Sequence, residues 1–251
     1  MPPDRVQLSH EMLAAAIGDS WSAGDISAAA ELLAGADGQF PSGIRSLPAG
    51  LVGAVQRERL IAGMLRACAD LGYRELSVQD VLDRAGVSRP TFYEHFENKE
   101  ECFLAAFDAA AARLRNRVEA AAGEGGDSWR DRLRMALEEV LRFAQADRDA
   151  AVTLVVEARA SCPEALVQRD EVLDRFTACL DTQVRAEAST PETISPIASA
   201  GIVGGIEALL YDRLNRDETD DLESLLPSLM YFAVLPFEGQ AAASAELAAA
   251  G

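Results

Sequence analysis

The chain has 251 residues, with 23 Lys and Arg against 41 Asp and Glu for a formal charge of −18, and 49% apolar but only 6% aromatic residues. That is enough apolar chain to bury a real core, and it argues against disulfide-stapled and disordered architectures. The N-terminus, Met1-Pro2-Pro3-Asp4-Arg5, lacks a basic-then-apolar signal pattern, and the longest apolar stretch, around 202–211, is interrupted by Gly204, Gly205 and Glu207. The expectation is a soluble, cytoplasmic protein with no membrane partner. Its acidity repels bulk phosphate, so any nucleic-acid function must rest on a few focused contacts.

Residues 1–50 read as an N-terminal extension and linker. They hold two short Ala-rich helical patterns, 11–17 and 26–33, and then a stretch containing Pro41, Ser42, Gly43, Pro48 and Gly50. From there the apolar period is helical throughout, without the strict alternation or Asn-Gly punctuation of hairpins, so the fold class is all-α. In 55–71, Leu60, Ile61, Met64, Leu65, Cys68 and Leu71 fall three or four apart and make one buried stripe ended by Gly72. Ser77 is a good N-cap for a second helix over 78–85, with Val81 and Leu82 inward and Gly86 as its stop. Ser88 caps a third, where Pro90 is tolerated in the first turn and Phe92 and Phe96 at i, i+4 bury the inner face.

Two short helices around Gly86-Val87-Ser88, braced by a longer preceding helix, form a helix-turn-helix pattern. At 100° per residue, Pro90 and Glu94 lie opposite the Phe92/Phe96 stripe, with Arg89 and Tyr93 on one flank and Thr91 and His95 on the other. That outer face suits a major groove, where an Arg fork reads a guanine edge and hydroxyls meet phosphate. Physics alone leaves this evenly balanced against a solvated helix face, because helical hairpins joined by Gly turns also occur in enzymes. Residues 51–100 carry seven basic and eight acidic side chains, so this segment is nearly neutral while the rest holds −17. Such a distribution orients the molecule toward DNA by this end and keeps non-specific binding weak.

The runs Arg57-Glu58-Arg59, Gly72-Tyr73, Ser77-Val78, Arg84-Ala85-Gly86-Val87-Ser88, Thr91-Phe92-Tyr93-Glu94-His95-Phe96 and Asn98-Lys99-Glu100-Glu101 match in order and spacing. Together they closely resemble the DNA-binding domain of the TetR/AcrR family of bacterial transcriptional regulators. The likeness covers about a fifth of the chain, 56–107. It implies a three-helix helix-turn-helix domain over 51–106, a helical effector-binding and dimerisation domain over 107–240, and leaves an Ala-rich tail, 241–251. It also implies that Ser77, Thr91, Tyr93, His95 and Lys99 contact phosphate, with Ser88, Arg89 and Pro90 nearest the base edges. The implied activity is repression by a homodimer on a palindromic double-stranded operator, relieved by a small-molecule effector.

Beyond residue 100 the pattern gives helices over 100–121, 129–146, 150–158, 163–186, 194–215 and 221–235. Phe143, Leu154, Glu157, Phe176 and Thr177 are candidate effector contacts, although each is also ordinary core or surface; Glu157 and Arg159 could read a charged ligand, the commoner alternative being an exposed ion pair. Gly201, Gly204 and Gly205, with Leu209, Leu226 and Tyr231, are the candidate dimer face, the alternative being packing within one subunit. The four cysteines and two histidines show no ligand spacing, so no metal, disulfide or cofactor is expected, and Cys68 and Cys102 read as small core residues. With one His in the N-terminal arm and one in the reading helix, a catalytic dyad is hard to assemble. An all-α enzyme, or a dimeric protein-interaction module keeping a vestigial helix-turn-helix, stands as the alternative.

Overall fold

The computed structural model describes residues 49–123 and 126–248. The two helical patterns expected in the N-terminal arm lie outside the described residues. Among the described residues all regular structure is helical, as the period requires. The helices are α1 (Ala49–Leu71), α2 (Val78–Ala85), α3 (Arg89–His95), α4 (Lys99–Gly123), α5 (Trp129–Ala146), α6 (Arg148–Val155), α7 (Pro163–Glu187), α8 (Ala198–Asn215) and α9 (Leu226–Ala248). Short 3₁₀ turns cover Glu157–Arg159, Pro191–Thr193 and Glu223–Leu225. No described helix is long and apolar enough to cross a membrane.

The described chain divides into two compact units, 49–67 with 75–106, and 68–74 with 107–248. In the first, Leu60, Met64, Val81, Phe92, Phe96 and Phe103 are fully or almost fully buried and form the core. At roughly 1.5–3 kcal/mol for each large apolar side chain, these residues hold α2 and α3, which are too short to stand alone, against α1. In the second, α8 packs on α6, α7 and α9, while α5 packs on α6, α7 and α9. Leu137, Leu141, Phe143, Ile202, Met230 and Val234 lie at the centre.

Several boundaries differ from the sequence reading. Helix α1 begins six residues earlier than the apolar stripe suggested and takes in Ala49 and Gly50, which were assigned to the linker. Helix α8 starts at Ala198 instead of 194, because Pro191 and Pro196 break the lead-in and a 3₁₀ turn occupies Pro191–Thr193. Helix α9 runs on past Pro236, with non-helical Gly239 at φ 80° marking a kink. The residues set apart as a tail are therefore helical through Ala248. Ala243 is fully buried, and Glu246 is held by Arg134 and lies 3.7 Å from Arg130. Poverty of sequence hid a three-residue spacing that puts both side chains on the α5 side of the helix.

Candidate nucleic-acid interface and effector pocket

The reading head is built by caps. Ser77 Oγ accepts the Asp80 N–H at 3.4 Å, while the Asp80 carboxylate accepts from Ser77 N at 2.8 Å and from Ser77 Oγ at 2.6 Å, closing a capping box on α2. These bonds, the Ser77 hydroxyl first, hold the Asp80 carboxyl below its ordinary range. Gly86 ends α2 in the left-handed conformation, φ 62°, which costs a glycine nothing. Two residues on, Ser88 Oγ accepts the Thr91 N–H at 3.3 Å, and its hydroxyl lies 2.8 Å from that of Thr91.

Beneath the turn lies a residue with no local signal. Arg59 on α1 is buried, donating from Nε to Ala85 O at 2.8 Å and from Nη2 to Gly86 O at 3.3 Å. It thus satisfies the carbonyls that the end of α2 leaves open, with desolvation, and then Arg66, lowering its pKa. Arg66 repeats the device at the surface, donating to Arg84 O at 2.7 Å. Gly63 permits this closeness, since a Cβ there would lie 2.9 Å from Val81 O.

On this frame Phe92 is 0% and Phe96 2% exposed, whereas Tyr93 is 52% exposed. Arg89, Pro90, Tyr93 and Glu94 all face solvent, so α3 presents the outer surface that its spacing required. Arg89 donates to Gln79 Oε1 at 3.3 Å, and Gln79 in turn donates to Asp83 at 2.7 Å. Its partner is thus a neutral exposed amide on α2. Lys99 donates to Leu76 O at 2.9 Å, which sets its ammonium one residue before Ser77 at the start of α2. His95 turns one edge inward: its Nε2 is buried with no hydrogen-bond partner among the described residues, and its Cε1 is 3.6 Å from where a Cβ on Gly53 would be. Only its other nitrogen remains to meet a phosphate.

In the second unit, α4, α5, α6, α7 and α8 enclose a cavity of about 150 Å³. Leu154 and Phe176 line it, together with Phe107, Leu133, Val140, Val172, Leu173 and Ile206. Phe143, Glu157 and Thr177 are not among the lining residues. Phe143 is buried with Arg117 5.6 Å from its ring centroid. Thr177 follows Phe176 by one residue, and a step of 100° turns it off the cavity. Glu157 accepts the Tyr73 N–H at 2.6 Å, beside Arg74 Nε donating to Ala160 O at 3.2 Å. The two ends of the turn 157–160 thus hold residues 73 and 74, which lead from α1 to α2.

The cavity's polar lining is Arg169 and Glu207, both missed by sequence reasoning because their partners are far away along the chain. The buried Glu207 carboxylate takes Arg169 through Nη2 at 2.9 Å and Nε at 3.2 Å, and also pairs with Arg159. The Arg159 guanidinium lies 4.3 Å above the Tyr211 ring. Arg159 therefore does not pair with Glu157.

Residues 60–106 match the family model of bacterial regulatory proteins, tetR family. The HTH-type transcriptional activator FasR of Mycolicibacterium smegmatis is 25% identical over 71% of this chain and 81% of its own length. Among solved structures, the fatty acid degradation regulator FadR of Bacillus halodurans aligns with TM-score 0.65 and 21% identity, over 74% of this chain and 97% of its own. FadR from Bacillus subtilis, solved in complex with stearoyl-CoA, aligns with TM-score 0.62 and 22% identity, over 73% and 98%. The helix-turn-helix segment of this chain is thus similar to that of tetR-family regulators.

The candidate dimer residues fall into two groups. Gly201 and Gly204 are exposed, and a Cβ on either would meet nothing within 4 Å. Gly205 is exposed too, but a Cβ there would lie 3.0 Å from the ring of Phe232 on α9. Leu209, Leu226 and Tyr231 are half-buried, Tyr231 sharing hydrogen bonds with Gln240. Ile197 and Phe232, 74% and 44% exposed, complete an apolar strip across α8 and α9 that sequence reading had not singled out. The glycines were visible as small residues. The aromatic ring standing over one of them was not.

Proposed function

We propose that this regulator acts in the cytoplasm as a homodimeric repressor on a palindromic operator, released by an apolar small molecule that enters the cavity of the second unit. The carrying observation is α3: a capped helix whose inner aromatics are buried and whose Arg89, Pro90 and Tyr93 are exposed. In this reading Arg89 reads a base edge, Pro90 gives apolar contact, and Ser77, Ser88, Thr91, Tyr93 and Lys99 position the head on phosphates. His95 contributes from its outward nitrogen. The glycine-lined strip of α8, with Phe232, supports pairing two chains through a four-helix bundle, so that two reading helices meet half-sites about one helical turn or a small multiple apart.

The cavity's almost wholly apolar wall favours an aliphatic effector, in keeping with the fatty-acid regulators it resembles. Its occupation would press on the 157–160 turn and so on residues 73 and 74, as well as on α4, which runs through both units. Selection of genomic fragments on the full chain, followed by footprinting, tests the reading. A palindromic footprint is expected, and the absence of any enriched sequence would refute it. Release of the selected fragment by an aliphatic compound, in a transcription assay where the protein alone lowers output, tests repression.

A further inference from the structure

The cavity is apolar except where Arg169 meets the buried Glu207, whose carboxylate also pairs, outside the lining, with Arg159. From this imbalance we infer that the effector carries an anionic head, a carboxylate on an unbranched aliphatic chain, seated at Arg169 with its chain among Leu133, Val140, Val172 and Ile206. This deepens the proposed function and rests on its reading of the cavity as the effector site. Arg159 and Arg169 share the one buried anion, Glu207, and the other carboxylate on Arg169, Asp170, is screened by solvent, so beside the apolar wall a cationic ligand is repelled and a neutral one lacks the opposite charge that a carboxylate brings.

Arg169 also has a partner to exchange. Its Nη1 donates to Asp170 Oδ1 at 2.8 Å, but the Asp170 side chain is 66% exposed, so that bond is largely screened and easily given up. A ligand carboxylate competes with Asp170 for the guanidinium while Glu207 keeps Nε and Nη2, an arrangement that Arg supports because its fork serves two acceptors at once. Size sets a second limit. A cavity of about 150 Å³ is of the order that takes a six-membered hydrocarbon ring, so a chain of about eight carbons fills it and presses on its walls.

Isothermal titration of the full chain with octanoate, 1-octanol and n-octylammonium, each below its micellar range, tests the inference. Octanoate is expected to bind about tenfold or more tighter than octanol, the effect of one charge-assisted hydrogen bond, and octylammonium weakest. Arg169→Gln should bring octanoate down to the level of octanol, while Glu207→Gln, which removes the competing negative charge, should tighten it. Opposite shifts from two substitutions on one ion pair distinguish head-group reading from loss of fold, which would weaken both. Octanol binding as tightly as octanoate, or octanoate unaffected by Arg169→Gln, overturns the charged head while leaving the cavity as effector site. Binding of none of the three overturns both readings. Octanoyl-CoA serves as a further arm: if it binds more tightly than octanoate, and Arg169→Gln leaves its affinity unchanged, the free carboxylate is not what the site reads.

Discussion

Two glycines on one helix make opposite predictions. Gly53 and Gly63 both lie inside α1, where replacing Gly by Ala gains about 1 kcal/mol of helix propensity. At Gly53 the new methyl would find His95 Cε1 at 3.6 Å, an ordinary contact, so G53A should stabilise the head by about 0.5–1 kcal/mol. At Gly63 it would meet Val81 O at 2.9 Å, Ala85 Cβ at 3.0 Å and Ala85 N at 3.1 Å. None of these can rotate away, and α2 must shift outward at an overpacking cost of about 1–3 kcal/mol. After the propensity gain, G63A should lose up to about 2 kcal/mol, and the two variants should differ by about 1–3 kcal/mol. Urea denaturation followed by helical circular dichroism measures this gap, and operator titration should show weaker binding for G63A alone, because α3 follows α2 and the Arg59 bonds to Ala85 and Gly86 are stretched. If G63A proves as stable as G53A, the close approach of α1 to α2 does not govern the head.

Other consequences are open to direct measurement. R89A should relax base preference at one position per half-site, costing about 1–3 kcal/mol at the best site, whereas K99A should weaken all sequences alike; equal losses across sequences from both would reverse the roles assigned to them. Operator affinity should fall steeply between low and moderate salt, since an acidic body leaves only focused contacts to hold phosphate; a flat titration would contradict that. Replacing Gly204 by Leu fills an open exposed face and should shift sedimentation toward monomer with little change in single-chain stability. Cys102, whose thiol is pushed up to about 12 by burial, should resist alkylation in the native protein at neutral pH, while exposed Cys179 reacts.

The head was legible because its instructions are local. Ser77, Gly86 and Ser88 mark caps within three residues of what they cap, and Phe92 and Phe96 declare one face by spacing alone. What escaped reading depends on residues that chain order separates. Arg59 looks like any surface arginine until α2 brings the Ala85 and Gly86 carbonyls over it. Arg159, Arg169 and Glu207 come from the 157–159 turn, α7 and α8, and only their convergence distinguishes them from the many exposed ion pairs of an acidic protein. Glu157 reads from sequence as a candidate effector contact, yet a main-chain N–H more than eighty residues earlier claims it. Helix ends in the second unit drifted where proline and 3₁₀ turns blur the period, as before α8 and α9.

The stitched end of α9 bears on how this protein can be handled. Stretches poor in information are the first to be cut when a chain is shortened for crystals or joined to a reporter. Here a cut before residue 243 would strip Arg134 of its anion, leave Arg130 with Glu238 alone, and uncover the slot that Ala243 fills. The trimmed molecule would differ from the natural one in charge and closure on the same helix that carries Tyr231 and Phe232. Tags belong beyond Ala248, where they leave that seam intact.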